Sequence, residues 1–256
     1  MAIMVELFGA VADDYDEIRP GYPAALAPTI LAYHGEPPSR LVEVGAGTGL
    51  ATALLRDLVA PDAPAHPARV TCVEPDPRMA AVLSARFPDV EVVLARFEQW
   101  SPPPAGVPLL ACALAWHWLD PGTRNRRAHD ALTPGGTLAV FAHRYDYVDP
   151  AQSAAIRAAF ESVDPVPHHD RPEDWFHADI TDSGLFTDVR SVALRRAVPL
   201  TTAQYQRLVG TFSPQLRRPP RLRERVVEAI GGAVDGFGGT VTLDLRTTLV
   251  LARRPG

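Results

Sequence analysis

Apolar residues run along this chain in short unbroken blocks separated by stretches of helical period. Residues 41 to 45, "LVEVG", read as a buried strand, and "LATALLRDLVA" then places Leu50, Leu54, Leu55 and Leu58 on one helical face. "RVTCVEP" is a second strand ending at Glu74. Asp76-Pro77 then supplies an N-cap and a first-turn proline for a helix that buries Met79, Val82, Leu83 and Phe87. Further strands are expected at 90 to 95, 109 to 115 and 137 to 143, with a helix starting at Asp120-Pro121 and stopping at "LTPGG". Unbroken apolar strands alternating with helices predict an α/β fold with a parallel sheet covered on both faces.

Beyond residue 143 the rhythm changes. "DPAQSAAIRAAFESV" predicts a helix, and "DPVPHHDRPEDWFHADITDSG" reads as irregular. A strand near 189 to 198, helical "TTAQYQRLVG" and "RLRERVVEAIGG", and a last strand "TVTLDLRTTLVLARR" follow. Alternation at Val241, Leu243 and Leu245 predicts that the last strand is partly buried. The expected organisation is one domain over residues 1 to 256, with a core at 36 to 145, helical cap insertions at 146 to 235 around the sixth strand, and the last strand in 236 to 256.

Composition narrows the function. With 46% hydrophobic and 21% charged residues in 256, a real core is available. A net charge of −5 argues against nucleic acid or an anionic membrane as the main partner. All 25 basic residues are arginines, so lysine chemistry is excluded. Cys72 and Cys112 lie in separate apolar runs and read as buried thiols. The N-terminal stretch has no basic region before its apolar residues and does not read as a secretory signal, nor does any run approach the ~20 apolar residues of a membrane span. A cytoplasmic location is expected.

"LVEVGAGTGL" carries the most chemistry. Glycines at the end of a central strand let the backbone approach a ligand where helix N-termini offer free N–H groups. The dinucleotide fingerprint G-x-G-x-x-G fails, because its third glycine position is Leu50, and a P-loop fails for want of lysine.

The spacing Glu43, Gly45, Gly47, Gly49 resembles the first motif of the class I S-adenosylmethionine-dependent methyltransferases. "EPDPRM", "ARFEQW", "LTPGG" and "ALAWHWLDP" resemble later segments of that family in order, so the likeness covers residues 15 to 143. It implies a Rossmann-like, doubly wound, seven-stranded sheet with the last strand antiparallel and helical cap insertions. It implies S-adenosylmethionine as cofactor, with S-adenosylhomocysteine as product. Gly45, Ala46, Gly47 and Gly49 would approach its methionine portion, Glu43 would hold its amino group, and Glu74 with Pro75 its ribose. Met79 would flank adenine, the segment of Arg96, Phe97 and Glu98 would cover the other face, with Glu98 or a backbone carbonyl at the amino edge, and Ala115 would complete the wall. Arg96 departs from the acidic residue many relatives carry there, and Leu114 from a frequent glutamine or serine. The arm "DDYDEIRPGYP" resembles that of trans-aconitate methyltransferase relatives, so residues 1 to 35 are expected to form a lid. Tyr15, Arg19 and Tyr22 would then touch cofactor or substrate; alternatively Arg19 pairs with Asp16 or Glu17 on the surface.

A sulfonium methyl is already electrophilic, so alignment and exclusion of water do much of the work, and a base is needed only where the acceptor must lose a proton. His117 is the first candidate base or substrate contact, the alternative being that Trp116, His117 and Trp118 simply wall the cofactor; His143 is the second. Trp175, Phe176 and Tyr205 either shape a pocket or pack in the core. His168, His169, Asp170 and His177 lack a fixed ligand geometry, and no metal is expected. Arg217, Arg218, Arg221, Arg223 and Arg225 form the charged side of an amphipathic helix keyed by Leu222, Val226 and Ile230. The expected function is methyl transfer to an O, N or C nucleophile of a metabolite or natural product, with a small-molecule partner, no nucleic acid and no membrane. The oligomeric state is left open. A non-methylating use of the same cofactor and an RNA or protein methyltransferase are the alternatives.

Overall fold

The computed structural model describes residues 7–60, 69–165, 172 and 174–256. Seven strands form one sheet in the order β3-β2-β1-β4-β5-β7-β6. They are β1 (Leu41–Val44), β2 (Val70–Val73), β3 (Glu91–Val93), β4 (Val107–Ala113), β5 (Leu132–Tyr147), β6 (Thr187–Thr201) and β7 (Thr240–Arg253). β1 pairs in parallel with β2 and β4, β2 with β3, and β4 with β5. β7 runs against both neighbours. Gly135 bonds Arg254 at one end of β5 and Val148 bonds Thr242 at the other, while Thr187 reaches Arg253 and Thr202 reaches Gly239 along β6. The antiparallel last strand therefore lies between β5 and β6.

The chain divides into two compact units. One comprises Met1–Pro20, Arg144–Arg171 and Arg195–Arg246; the other comprises Gly21–His143, Pro172–Leu194 and Thr247–Gly256. The larger unit holds two buried clusters. Leu26, Ile30, Leu55, Leu83 and Phe141 belong to one, and Val44, Phe97, Leu110, Phe176 and Ile180 to the other. In the other unit Ile156, Leu208, Ile230 and Val234 pack helices α6 (Pro150–Val163), α8 (Thr202–Gly210) and α10 (Pro220–Gly236) on the ends of the long strands. The buried Val226 and Ile230 give α10 the amphipathic spacing read from the sequence, but Arg217 and Arg218 precede the helix, and Arg218 is largely buried against Asp164 at 2.7 Å rather than on its charged side. Among the described residues no helix is long and apolar enough to cross a membrane.

Several elements differ from expectation. The helix expected over 50 to 60 is only α3 (Thr52–Leu55), which tightens into a 3-10 turn over Arg56–Leu58. Ala60 N–H then bonds Pro38 O and draws the chain out of helical register. "LTPGG" lies inside β5 rather than before it. Leu132 pairs with Val107 and Thr137 with Leu109, so the intervening residues bulge out of the ladder. Trp175–Asp182, read as irregular, is helix α7, whose Phe176 and Ile180 bury one i, i+4 face.

Candidate functional site

Strand order reverses between β1 and its neighbours β2 and β4, and the residues after these strands converge there. Gly45 (φ 67°) donates to Val73 O at 2.8 Å, and Ala46 to the same oxygen at 3.4 Å, carrying the loop across β2. A Cβ on Gly45 would stand 2.3 Å from Ala115 Cβ, and one on Gly49 2.5 Å from Leu83 Cδ1 and 2.7 Å from Phe87. These two positions need glycine both for backbone conformation and for space. A Cβ on Gly47 would meet only Met79 Cε, at 3.5 Å.

Two carboxyls flank the loop. Glu74 Oε2 accepts Gly47 N–H at 2.8 Å and Oε1 accepts Asp76 N–H at 2.9 Å. Asp76 caps α4 (Pro77–Arg86) through Arg78 N–H, with Pro77 in the first turn as expected. Glu43 is wholly buried; its Oε2 accepts from Thr52 Oγ1 at 2.5 Å, and among the described residues its Oε1 has no hydrogen-bond partner. Burial pushes the Glu43 carboxyl up to about 8, against the Thr52 hydrogen bond and helped by the charge of Glu74. Burial likewise raises Glu74 to about 7, against its two backbone donors.

These shifts fix the pH dependence of the ligand-free protein. The folded state retains protons that the unfolded chain releases near 4.5, so stability present below that value is lost as pH rises through about 7 and 8. Urea titrations should show unfolding free energy falling over this window by at most about 1.4 kcal/mol per pH unit per proton. Glu43→Gln should flatten the fall; a profile identical to wild type would show that Glu43 does not carry it.

After β4 the chain turns sharply. Leu114 adopts φ 55° and donates to Phe141 O at 2.9 Å, a left-handed conformation that strains a non-glycine residue. Trp116–Trp118 is a 3-10 turn. His117 is exposed, with its ring 4.8 Å from that of the half-buried Trp118. Trp116 belongs to the core, 2% exposed, and its indole donates to Asp179 Oδ2 at 2.9 Å. Arg124, on α5 (Arg124–Ala131), is buried over the Trp116 and Trp175 rings and grips both Asp179 oxygens; Asn125 Nδ2 adds a bond to Asp179 Oδ2 at 3.1 Å. Burial works against ionisation of Asp179, but these donors hold its carboxyl below the usual range.

The other candidates separate. Phe97 is buried beside Trp100, and its carbonyl accepts Arg127 Nε at 3.0 Å. Glu98 faces Arg96 at 3.5 Å and accepts Asp120 N–H at 3.0 Å, so its carboxylate is already used within the loop. Met79 is buried and Pro75 half-buried. His143 is buried at the end of the parallel core, bonded to Thr247 Oγ1 at 2.8 Å and stacked on Tyr22 at 4.4 Å. Arg19 and Tyr15 belong to the other unit. Arg19 donates there to Thr211 and Tyr145 and lies over Tyr15, Tyr145 and Phe212, whereas Asp14 and Glu17 pair with Arg207. The surface pairing with Asp16 or Glu17 is therefore replaced by an internal cation site. Phe176 and Tyr205 are core residues, and Trp175 is half-buried with Phe176 at its edge. Cys72 and Cys112 are buried free thiols. His168, His169 and Asp170 lie outside the described residues, among which no group of histidine, cysteine or acidic residues is placed to hold a metal. Thr52, Arg124 and Asp179 were not singled out from the sequence; Thr52 sits nine residues beyond Glu43 in the following helix, while Asp179 carries no local signal.

Residues 41–136 match the family model of a methyltransferase domain. That stretch, from β1 to the bulge of β5, is similar to a methyltransferase domain. An uncharacterized methyltransferase of Mycobacterium tuberculosis is 30% identical over 131 residues, 51% of this chain and 49% of the relative. The chain thus spans about half the length of the mycobacterial relatives it matches. A methyltransferase-like protein of Schizosaccharomyces pombe is 24% identical over 88% of this chain and 86% of its own. Among solved structures, an Anaeromyxobacter dehalogenans protein assigned to the type II methyltransferases superposes with a TM-score of 0.63 at 20% identity, covering 93% of this chain and 99% of its own. Phosphoethanolamine N-methyltransferase 2 of Haemonchus contortus, solved with phosphomonomethylethanolamine and S-adenosylhomocysteine, superposes at 0.52 with 11% identity over 97% and 58%. The glycine loop and Glu74 follow the carboxyl ends of β1 and β2, with Glu43 in β1 itself, where open α/β sheets take ligands and where the resemblance puts S-adenosylmethionine. The donor set fits that cofactor: a buried carboxyl with an unused oxygen suits an amino group, and a second carboxylate suits a diol.

Proposed function

We propose that the protein transfers the methyl group of S-adenosylmethionine to an O, N or C nucleophile of a small metabolite or natural product. The reading is carried by one arrangement: two buried carboxyls, Glu43 and Glu74, on either side of a glycine loop whose Gly47 N–H is already fixed on Glu74. Bound S-adenosylmethionine supplies an electrophilic methyl group. Gly45, Ala46, Gly47 and Gly49 lie along its methionine portion, Glu43 receives the amino group, and Glu74 with Pro75 takes the ribose. Met79 and Phe97 flank adenine, and since the Glu98 carboxylate is engaged, backbone groups of the Arg96–Glu98 loop serve the amino edge. Ala115 and Trp118 close the wall, and the exposed His117 stands where it can accept a proton from an acceptor, with His143 as the second candidate. Trp116 and Trp175 act through packing around Arg124.

Calorimetry with S-adenosylhomocysteine tests the reading. Wild type should bind, and Glu74→Ala should bind about tenfold to a hundredfold more weakly, the range for losing hydrogen bonds to a charged group. Binding of NADH in its place would overturn it. Transfer of labelled methyl to bulk tRNA or peptides, but to no small molecule, would move the assignment to a macromolecular acceptor.

A further inference from the structure

The Glu43 carboxyl is enclosed by groups that cannot balance a negative charge. From α3 comes the Thr52 hydroxyl; from β2 come the Cys72 thiol, 4.0 Å from Oε2, and the carboxyl of Glu74 just beyond the strand. From β4 comes the Cys112 thiol, whose ionisation burial opposes first and the charge of Glu43 opposes further. No cation figures among the charges acting on Glu43 in the described residues. The α4 arginines are engaged elsewhere, Arg78 with Asp76 and Arg86 with Thr48 O. A carboxylate buried without a counter-charge costs several kcal/mol, and such a group keeps its proton instead. Among the described residues its Oε1 has no hydrogen-bond partner, which leaves it available to a new donor.

We infer that ligand binding at the glycine loop is proton-coupled: an incoming ammonium group displaces the Glu43 proton to solvent, so the site selects the ligand's positive charge as well as its nucleoside. The inference rests on the S-adenosylmethionine reading above and deepens it. The balance is simple. The neutral Glu43 carboxyl and the ligand's ammonium become a carboxylate–ammonium pair, and one proton passes to the buffer. Glu74 differs, because it meets a neutral diol and already accepts two backbone N–H groups. A nucleoside lacking the amino-acid portion should therefore bind without driving this exchange.

The test is titration calorimetry of the full chain at pH 7.5 in phosphate and in Tris, whose different ionisation heats report protons exchanged. S-adenosylhomocysteine should release between about half and one proton per site, and its affinity should tighten about tenfold or more from pH 6 to 8. 5′-Methylthioadenosine, whose diol meets only Glu74, should release no more than about a quarter of a proton, the share that Glu74 still holds at this pH. Glu43→Gln should cut the release to that share and flatten the pH profile of affinity. Equal enthalpies in both buffers for wild type with S-adenosylhomocysteine, or equal release by 5′-methylthioadenosine, would overturn the inference while leaving the cofactor reading intact. Should Glu43→Gln fail to fold, these two wild-type comparisons still decide. Absence of any binding of S-adenosylhomocysteine would overturn the cofactor reading and this inference with it.

Discussion

Gly45→Ala is expected to destabilise the protein by about 2–5 kcal/mol and to weaken S-adenosylhomocysteine binding by more than about tenfold. Two separable effects make up this loss. A left-handed backbone costs a residue with a Cβ roughly 1–2 kcal/mol, and Gly45 sits at φ 67°. The new methyl would also stand 2.3 Å from Ala115 Cβ, which forces a shift of the glycine loop or of the turn after β4. Overpacking of this kind costs about 1–3 kcal/mol. Gly184→Ala isolates the first effect, since Gly184 has φ 65° and nothing within 4 Å of its would-be Cβ. Ala115→Gly in the Gly45→Ala background should restore the packing portion and leave the backbone portion, a coupling that urea denaturation of the four proteins measures. Additive effects would mean that the two segments do not bear on each other. The binding loss follows because Gly47 N–H, two residues on, is placed against Glu74 by the same loop.

That the loop is so constrained was legible in the sequence, and the reason is local. Every second residue from Gly45 to Gly49 is glycine, directly after a strand, and no other residue tolerates three positive φ values in five positions. Glu74 was legible for the same reason, standing at a strand end two residues before an N-cap with proline behind it. What the sequence did not show depends on partners far along the chain. The place of β7 between β5 and β6 is set by its pairing with two strands earlier in the chain, which a period-2 pattern does not encode. Helix α7 was hidden by the proline-rich stretch before it, although Phe176 and Ile180 carried its i, i+4 signal. The stretch "ARFEQW" offers Glu98 or a backbone carbonyl to the adenine amino group; that the Glu98 carboxylate accepts Asp120 N–H, 22 residues away, is not written in that stretch. Trp116, in the most aromatic stretch of the chain, read as wall or substrate contact. Its indole is instead committed to Asp179, 63 residues on.

Asp179→Ala should be the costliest single side-chain truncation in the larger unit, at about 3–5 kcal/mol, because it leaves a buried guanidinium unpaired. Arg124 is 7% exposed and bonds both carboxylate oxygens; Trp116 Nε1 loses its acceptor in the same step, and Asn125 Nδ2 keeps only the Asp179 backbone oxygen, at 3.2 Å. Removing an exposed pair sets the scale. Asp89→Ala, whose partner Arg56 is 3.0 Å away with both side chains well exposed, should cost less than about 1 kcal/mol. At roughly 2–4 °C per kcal/mol for a chain of this size, the two variants should differ by on the order of 10 °C in melting temperature. Asp179→Asn, which keeps a carbonyl acceptor, should fall between them. The loss should also reach the site, since Arg124 Nη1 bonds Trp116 O at 3.3 Å and so holds the turn that carries His117. Release of that turn should change the tryptophan emission of Asp179→Asn while its affinity for S-adenosylhomocysteine stays within about threefold of wild type, because no cofactor-loop residue bonds Asp179. An Asp179→Ala variant no less stable than Asp89→Ala would show that Arg124 finds water or another acceptor, and the Trp116 turn would then have to be held by its packing alone.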